Sequence, residues 1–189
     1  MRTQYYAAAS LDGFIATEDD SLDWLFALGD VSETSYPQFI QGVGALVMGS
    51  ATYEWMLQHV VRLGTATPGA WPYVQPAWVF SSRDLPRIPG ADIRFVRGDV
   101  RPIHEQIRPV AKDKNLWLVG GGELAGKFYD AGLLDEIIVQ VSSVTLCSGK
   151  PFLPRRITSP PLRLVSVEKF GEGFAELRYE IQKSGTPVR

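Results

Sequence analysis

The chain has 189 residues, of which 45% are hydrophobic and 21% are charged, and its formal net charge is -2 at pH 7. This composition is typical of one soluble domain that is large enough for a sheet covered on both faces. The small negative charge argues against a nucleic-acid partner, and no apolar run approaches the length of a membrane span. Because the first strand begins within a few residues of Met1, we expect no cleavable signal and a cytoplasmic location.

The residue inventory argues against two classes of chemistry. Cys147 is the only cysteine, and the two histidines, His59 and His104, are far apart in the sequence. With neither an H-x-x-x-H nor a C-x-x-C spacing, we expect no metal site. Residues 49–53 come nearest to a G-x-S-x-G nucleophile elbow but lack the pattern, so we expect no serine hydrolase.

The amino-terminal stretch predicts a strand and a turn. Residues 3–9 form the strand, and the small alanines at positions 7–9 would let a flat group lie close to the backbone. Asp12-Gly13 is typical of a turn, and residues 14–16 predict a short extended piece.

An irregular acidic segment follows at residues 17–30. It carries Trp24-Leu-Phe26, and such apolar bulk in a loop-like stretch indicates either a flap over a pocket or a small satellite core. Ser32 or Thr34 is predicted to cap a short helix. Glu33 would then lie in its first turn, where the helix dipole stabilises a carboxylate.

The first strand-to-helix corner lies near the middle of the chain. Residues 45–48 predict a buried strand, followed directly by Gly49-Ser50 and a helix to about Leu57. Ser50 is available there as a helix cap or as a phosphate ligand. The next strand, 77–80, ends in Ser81-Ser-Arg83. Two hydroxyls and a guanidinium suit an anion, and they are equally typical of a solvated turn.

The clearest corner is a run of three glycines at positions 120–122. Residues 116–119 predict a buried strand, and Glu123 to Ala131 predict a helix that Gly132 ends. Three glycines remove every side chain from the turn, whereas a tight turn without a ligand needs only one. Because the first N–H groups of a helix are unpaired, we predict that this corner binds phosphate.

Two phosphate-binding motifs are nearly matched at this corner. Residues 121–127 fit G-x-x-x-x-G-K, but Phe128 stands where Ser or Thr would hold magnesium, which argues against a nucleoside triphosphatase. Gly120, Gly122 and Ala125 fit G-x-G-x-x-A. Only about a third of the chain follows them, which is too little for a standard Rossmann domain.

The carboxyl-terminal part predicts a central strand at 136–141 and a hairpin of residues 162–169 and 174–182. In the second hairpin strand apolar and charged residues alternate, which leaves one face wet or at an interface, and we predict a homodimer. Residues 184–189 are expected to be a frayed tail. Alternating strands and helices before this hairpin predict one α/β domain, residues 1–183, with a mostly parallel sheet.

Six motifs occur together in the order of a known family. They are Ala9-Ser-Leu-Asp-Gly-Phe-Ile-Ala16, Val47-Met-Gly-Ser-Ala-Thr-Tyr-Glu54, Phe80-Ser-Ser-Arg83, Leu118-Val-Gly-Gly-Gly-Glu-Leu124, Leu133-Leu-Asp-Glu-Ile137 and Gly149-Lys-Pro-Phe-Leu153. Through them the chain resembles the dihydrofolate reductase-like fold. It resembles more closely the reductase domain of riboflavin biosynthesis and its stand-alone bacterial relatives.

The resemblance implies an eight-stranded sheet that binds NADPH in an extended form. The resemblance implies that Ala8, Ile15 and Ala16 lie near the nicotinamide. It implies that the diphosphate is bound at two helix starts, formed by Gly49, Ser50, Ala51 and Thr52 and by Val119, Gly120, Gly121, Gly122, Glu123 and Leu124. It implies that the adenosine ribose and its 2′-phosphate contact Ser81, Ser82 and Arg83. Dihydrofolate reductases usually carry a basic residue where Ser50 stands, so a preference for NADPH over NADH would rest largely on Arg83.

The implied chemistry is hydride transfer to an electron-poor double bond, which also needs a proton. Glu33 stands at the spacing where dihydrofolate reductases place their pterin-binding acid, and it could equally be a surface carboxylate. Asp12 belongs to the motif beside the family's substrate pocket, and it could equally be a turn former. Trp24 and Tyr53 could form walls of the substrate site. Gln140 could bind a substrate head group or be a satisfied core amide.

Three functions follow as hypotheses. The first is an NADPH-dependent reductase of a pterin- or pyrimidine-like heterocycle. The second is reduction of the ribosylamino-pyrimidine phosphate of riboflavin synthesis, whose phosphate would need a basic cluster in the pocket. The third is a nucleotide-binding or sensing protein without turnover.

Overall fold

The computed structural model describes residues 1–29 and 33–183 of the chain. The elements of this part, in chain order, are β1 (Thr3–Ala9), β2 (Phe14–Ala16), α1 (Asp23–Phe26), α2 (Tyr36–Gln41), β3 (Val43–Gly49), α3 (Ser50–His59), β4 (Ala77–Phe80), β5 (Ile93–Val96), α4 (Val100–Ala111), β6 (Asn115–Gly120), α5 (Gly122–Asp130), β7 (Glu136–Ser142), β8 (Lys150–Pro151), β9 (Arg163–Phe170) and β10 (Phe174–Glu180). None of the described helices is both long and apolar enough to cross a bilayer. The predicted cap Ser32 and the predicted tail at 184–189 lie outside the described residues.

Eight of the strands form one mixed sheet in the order β5-β4-β3-β6-β1-β7-β10-β9, and β2 pairs with β8 separately. Every neighbouring pair from β5 to β7 is parallel, whereas β10 is antiparallel to both β7 and β9. The predicted α/β fold, with a mostly parallel sheet and a carboxyl-terminal antiparallel hairpin, is confirmed.

Helices cover both faces of the parallel part of the sheet. Ile107 of α4 and Phe128 of α5 are buried against one face, and Phe39 of α2 and Met56 of α3 are buried against the other. Residues 45–48 of β3 point alternately to the two layers and are all fully buried. This explains the continuous apolar sequence of β3, because a strand covered on both faces has no position that faces solvent.

Helix α2 begins later than the sequence predicts. Its N-cap is Ser35, and Pro37 lies in its first turn, where the missing N–H of proline is not needed. Glu33 therefore precedes the helix instead of lying in its first turn.

Helix α1 contacts α3 through a pair of aromatic rings. None of its residues is buried, and the ring of Phe26 stacks on Trp55 of α3 with centroids 5.9 Å apart. Trp55 in turn stacks on His59 at 4.7 Å. Because α1 has no buried residue, the structure does not support a satellite core, and a flap over a pocket stays a prediction for this segment.

Candidate functional site

The predicted cofactor residues lie along one edge of the sheet. Residues 81–83 follow β4, Gly49 ends β3, Gly120 ends β6 and Ala8 lies near the end of β1, and these four strands are neighbours in that order. At about 4.8 Å per strand, this row of strand ends spans roughly 15 Å from β4 to β1. It lies at the carboxyl ends of parallel strands, where open α/β sheets bind their ligands.

The two strand-to-helix junctions are adjacent in this row. Met48 of β3 pairs with Gly120 of β6, so α3 and α5 begin beside each other. The N-cap residues are Gly49 and Gly121, and neither end has a side-chain cap hydrogen bond. The first N–H groups of both helices are therefore available to a phosphate, whose charge the helix dipoles would stabilise.

Two of the predicted glycines leave open space. A Cβ built on Gly49 would have no heavy atom within 4 Å, and one on Gly121 would meet only Leu124 Cβ at 3.7 Å. Gly121 also has a φ of +90°, a backbone conformation that favours glycine. A ligand can approach the backbone at both positions.

The other two predicted glycines serve the packing of the chain itself. A Cβ on Gly120 would lie 2.7 Å from Thr52 Oγ1, and one on Gly122 would lie 2.5 Å from the carbonyl oxygen of Phe152 and closer still to that of Pro151. The prediction that three successive glycines make room for a ligand is thus corrected, because protein atoms fill the space beside two of them.

The remaining residues at the helix starts have different environments. Ala51 is exposed, Ser50 is partly exposed, and Leu124 is buried in the core, so Leu124 can offer only its backbone to a cofactor. Glu123 pairs with Arg155 at 3.2 Å, which neutralises an acid that would repel a phosphate at this helix start. Val119 is partly exposed at the end of β6.

The predicted nicotinamide end is formed by β1 and β2. Ala8 and Ile15 are partly exposed, whereas Ala16 is buried beside β8, with which it pairs at Lys150. Ala8 and Ile15 can therefore offer side-chain surface to a ring, whereas Ala16 is buried where β2 pairs with β8.

The turn after β4 is held by its own hydrogen bonds. Ser81 Oγ accepts from Arg83 N at 3.0 Å and donates to Arg83 O at 2.8 Å, which leaves Ser82 as the exposed hydroxyl. The guanidinium of Arg83 is 60% exposed and makes a bidentate pair with Glu54 at 2.6 and 3.0 Å. A 2′-phosphate at this turn would compete with Glu54 for Arg83.

Asp12 joins two loops through its carboxylate. It accepts hydrogen bonds from the Ser10 hydroxyl and from the backbone N–H groups of Leu146 and Cys147. The Ser10 hydroxyl above all, and these backbone groups, lower the pKa of Asp12 below its usual value, against a weaker opposing effect of desolvation. The proposed role of Asp12 as a proton donor is corrected, because a carboxylate stabilised in its charged form is a poor acid at neutral pH.

Glu33, the other predicted acid, is exposed and lies at the carboxyl edge of the sheet. It lines a cavity of about 20 Å³ together with Leu28 and the turn of the β9–β10 hairpin at Gly171 and Phe174. The structure thus places Glu33 beyond β7, on the side of the row away from the adenosine end.

A buried polar network lies between Glu33 and β1. Gln140 Nε2 donates to the Tyr6 hydroxyl at 2.7 Å and to Glu176 Oε2 at 3.2 Å. Ser35 Oγ also donates to Glu176 Oε2, and Arg178 donates Nε and Nη2 to Glu176 Oε1 at 3.0 and 2.9 Å. Glu176 is 1% exposed and Gln140 is 5% exposed. Whether Gln140 is a core amide or a ligand contact therefore depends on which of its polar atoms have no partner in this network.

The network fixes the direction of each proton. The only hydroxyl proton of Ser35 goes to Glu176, so the Tyr6 hydroxyl, 3.1 Å from Ser35 Oγ, must be the donor between the two. Burial raises the pKa of Tyr6, which keeps this hydroxyl protonated. The N–H groups of Gln140 and the hydroxyls of Tyr6 and Ser35 thus have assigned acceptors, and Thr34 is a further hydrogen-bond partner of Tyr6.

Sequence patterning missed this network. The alternation in β10 predicts that Glu176 and Arg178 lie on its wet face, yet Glu176 is buried, where Ser35, Gln140 and Arg178 donate hydrogen bonds to it. Its partners are 36 and 141 residues away in sequence, at Gln140 and Ser35. The residues next to Glu176 in the sequence therefore give no pattern from which these contacts could be predicted.

The two predicted aromatic walls differ. Trp24 is partly exposed on the flap, and its indole Nε1 is a buried atom with no hydrogen-bond partner among the described residues. Tyr53 is fully buried, and its hydroxyl donates to Pro86 O at 2.6 Å. Tyr53 is thus corrected to a core residue, because it has no surface to offer a substrate.

The chain is similar to a known family and to two proteins of one organism. Residues 3–175 match the family described as RibD C-terminal domain. YwjB of Bacillus subtilis (strain 168), an uncharacterized protein, is 32% identical over 178 residues, which cover 94% of this chain and 97% of YwjB. YyaP of the same organism, also uncharacterized, is 26% identical over 183 residues, covering 91% of this chain and 90% of YyaP.

Solved structures share the fold at lower identity. A putative riboflavin biosynthesis protein from Shewanella sp. PV-4 is 22% identical with a TM-score of 0.77, over 97% of this chain and 100% of that protein. The dihydrofolate reductase of Enterococcus faecalis, solved with NADP(H) and RAB-propyl, is 16% identical with a TM-score of 0.63, over 95% of both chains. The family match over most of the sequence and the agreement in fold lead to one conclusion: this chain belongs to the RibD C-terminal domain family.

Proposed function

We propose that this protein is an NADPH-dependent reductase of a pterin- or pyrimidine-like heterocycle. The observation that carries the proposal is the row of strand ends, in which an Arg/Ser turn, two open glycine junctions and a small-residue strand follow one another across four neighbouring strands. An extended dinucleotide needs these features in this order, from the adenosine through the diphosphate to the nicotinamide. The family is reductase-related, and one solved relative in fold binds NADP(H).

The residues present fit a bound dinucleotide. When bound, the nicotinamide supplies a hydride to the electron-poor acceptor. The backbone at Gly49 and Gly121 would hold the diphosphate, and Ala8 and Ile15 would support the ring beside β1. Trp24 on the flap would exclude water from the acceptor site, and its unpartnered indole N–H would meet a ligand acceptor there.

Of the two predicted acids, Glu33 is the one that we propose as the proton donor to the acceptor. Its position beyond β7 sets it beside the acceptor end of the row, whereas Asp12 is engaged with two backbone N–H groups. Glu33→Gln is a conservative replacement that removes the acid and keeps its size.

Dinucleotide binding is the first experiment that tests the proposed function. We expect NADPH to quench the tryptophan emission of the protein at lower concentration than NADH does, and we expect NADPH to be oxidised with at least one member of a panel of heterocycles. If neither dinucleotide binds, the proposal is contradicted. Binding without any turnover would favour the nucleotide-sensing alternative.

The pair of Arg83 and Glu54 gives a prediction about cofactor preference. Arg83→Ala is expected to weaken NADPH binding about tenfold, because one charge-assisted contact is lost, and to change NADH binding little. Glu54→Gln is expected to strengthen NADPH binding about threefold, because it releases the Arg83 guanidinium, which now lies 2.6 Å from the Glu54 carboxylate. Dissociation constants for both dinucleotides are measured by fluorescence titration.

Arg108→Ala is the matched control, since Arg108 is equally exposed and pairs with a glutamate on α4. It should change neither affinity. Equal losses for NADPH and NADH in Arg83→Ala would show that Arg83 does not contact the 2′-phosphate.

The riboflavin-pathway reaction remains a second candidate. One protein similar in fold, from Thermotoga maritima, is named as a deaminase and 5-amino-6-(5-phosphoribosylamino)uracil reductase, and this chain covers 56% of its length. Its substrate carries a phosphate. In this chain Arg83, Arg155 and Arg178 are each paired with a carboxylate, which favours an unphosphorylated acceptor.

We also propose a homodimer formed through β9, the last strand of the sheet. Val165 and Val167 of this strand are both exposed, and β9 is paired only with β10 among the described residues. An exposed edge strand that carries apolar side chains is suited to association with a second copy.

The dimer proposal is tested by light scattering of the protein on a sizing column. The wild type is expected to show twice the mass of the chain, and Val165→Lys with Val167→Lys is expected to show the mass of one chain. Val74→Lys, at a position that is 95% exposed in a loop, should leave the dimer intact. A monomeric wild type would refute the proposal.

A further inference from the structure

Glu176 has unusual surroundings for a carboxylate. It is buried, and four hydrogen bonds from three side chains fill its two oxygens: two from Arg178 and one each from Ser35 and Gln140. A buried charge is costly unless it is paired and hydrogen-bonded, and here both conditions are met. None of its oxygens is left for a ligand, so its effect on a ligand must pass through a neighbour.

That neighbour is Gln140. A carboxylate only accepts hydrogen bonds, so the amide must turn its Nε2 toward Glu176 and cannot turn its Oε1 there. Its two N–H groups are used by Glu176 and by the Tyr6 hydroxyl. Neither partner can donate to Oε1, because Glu176 only accepts hydrogen bonds and the Tyr6 hydroxyl gives its proton to Ser35.

The Gln140 side chain adjoins β1. Ala8 is the register partner of Gln140 on β1 and faces the same side of the sheet. Tyr6 lies two residues earlier on β1, toward the amino end, and Ala8, nearer the carboxyl end, is partly exposed. An almost fully buried amide, whose oxygen receives no hydrogen bond from Glu176 or Tyr6, thus lies beside the predicted nicotinamide position.

We infer that Glu176 is a positioning residue that locks Gln140 with its Oε1 toward the acceptor site, so that this site selects heterocycles presenting a ring N–H. The inference rests on the proposed function, since it describes the substrate half of the same row. A ring with an N–H satisfies the buried acceptor, whereas a ring that lacks one leaves Oε1 unpaired, and sites of this kind discriminate strongly.

Lumazine and 1,3-dimethyllumazine form a suitable pair of probes. Both have the same pteridine ring and the same carbonyl groups, but only lumazine carries ring N–H groups. Their affinities are measured by fluorescence titration against the protein alone and against the protein with saturating NADPH. We expect the wild type to bind lumazine at least tenfold tighter than its dimethyl analogue.

Glu176→Gln separates hydrogen bonding from the bulk of the methyl groups. With an amide at 176, an N–H can face Gln140, which can then turn its Oε1 inward and its Nε2 toward the site. The preference for lumazine is expected to fall to less than threefold. A preference caused only by the size of the methyl groups would persist in this variant.

Two further variants complete the test. Gln140→Met has a similar length, cannot accept a hydrogen bond, and should also lose the preference, which keeps the test valid if Glu176→Gln does not fold. Glu180→Gln makes the same chemical change on the same strand, at a carboxylate paired with Arg2 and Arg163, and should keep it.

The outcomes separate this inference from the proposed function. An unchanged preference in Glu176→Gln and Gln140→Met, or binding of neither probe by the wild type, overturns the inference. Failure of the wild type to bind NADPH contradicts the proposed function, whatever the lumazine ratio is.

Discussion

Gly122→Ala is expected to lower the free energy of unfolding by about 2–3 kcal/mol, as overpacking of a tightly packed site does. A methyl group at 122 would lie 2.5 Å from the carbonyl oxygen of Phe152. That oxygen is backbone and also accepts the hydroxyl of Tyr5 at 2.9 Å, so it cannot move without loss of a buried hydrogen bond. Urea denaturation followed by circular dichroism measures the change.

Gly44→Ala is a matched control for this clash. A methyl group there would lie 2.5 Å from the carbonyl oxygen of Ala111, near the start of β3 and away from the row of strand ends. It should destabilise the protein to a similar extent without a direct effect on cofactor binding. An unfolding curve of Gly122→Ala that coincides with that of the wild type would show that β8 does not pack on α5 as described.

Gly49→Ala is expected to weaken NADPH binding about 10- to 100-fold while the stability changes by less than about 0.5 kcal/mol. The backbone of Gly49 has φ -80° and ψ 168°, which alanine adopts freely, and no heavy atom lies within 4 Å of the added methyl group. The methyl group would instead occupy the space through which a phosphate approaches α3. Fluorescence titration gives the affinity, and denaturation gives the stability.

The control for this second change is Gly42→Ala. Its backbone is also regular, with φ -82°, and its added methyl group would touch only Phe39 O, at 3.4 Å, at the opposite edge of the sheet. Both the affinity and the stability should stay close to those of the wild type. If Gly49→Ala bound NADPH as tightly as Gly42→Ala does, the junction between β3 and α3 would not hold the diphosphate.

The two glycine substitutions also mark how far the sequence predicts the site. Each junction combines a buried apolar strand, a glycine and a helix start, and all three signals are local, so both junctions could be predicted. Which glycine faces open space could not, because Thr52 and Phe152 come from other segments that only the folded chain brings to Gly120 and Gly122.

The polar residues show the same limit. Asp12 looks like a turn former or an acid, and its two backbone partners lie 134 and 135 residues away, on the loop at Leu146 and Cys147. For Glu176, a period of two residues correctly separates the faces of β10 but assumes that the buried face is the apolar one. That assumption is wrong where polar side chains such as Glu176 are buried by hydrogen bonds to residues that are distant in the sequence.

In the proposed function, the carboxyl edge of the sheet has two parts with separate roles. The diphosphate part would depend on β3, β6 and the starts of α3 and α5, whereas the acceptor part would depend on β7, β10 and the residue before α2, with β1 between the two. An exchange of a few side chains around Gln140 would then change the acceptor and leave the dinucleotide part unaltered. This division offers a protein engineer a place to alter substrate choice alone.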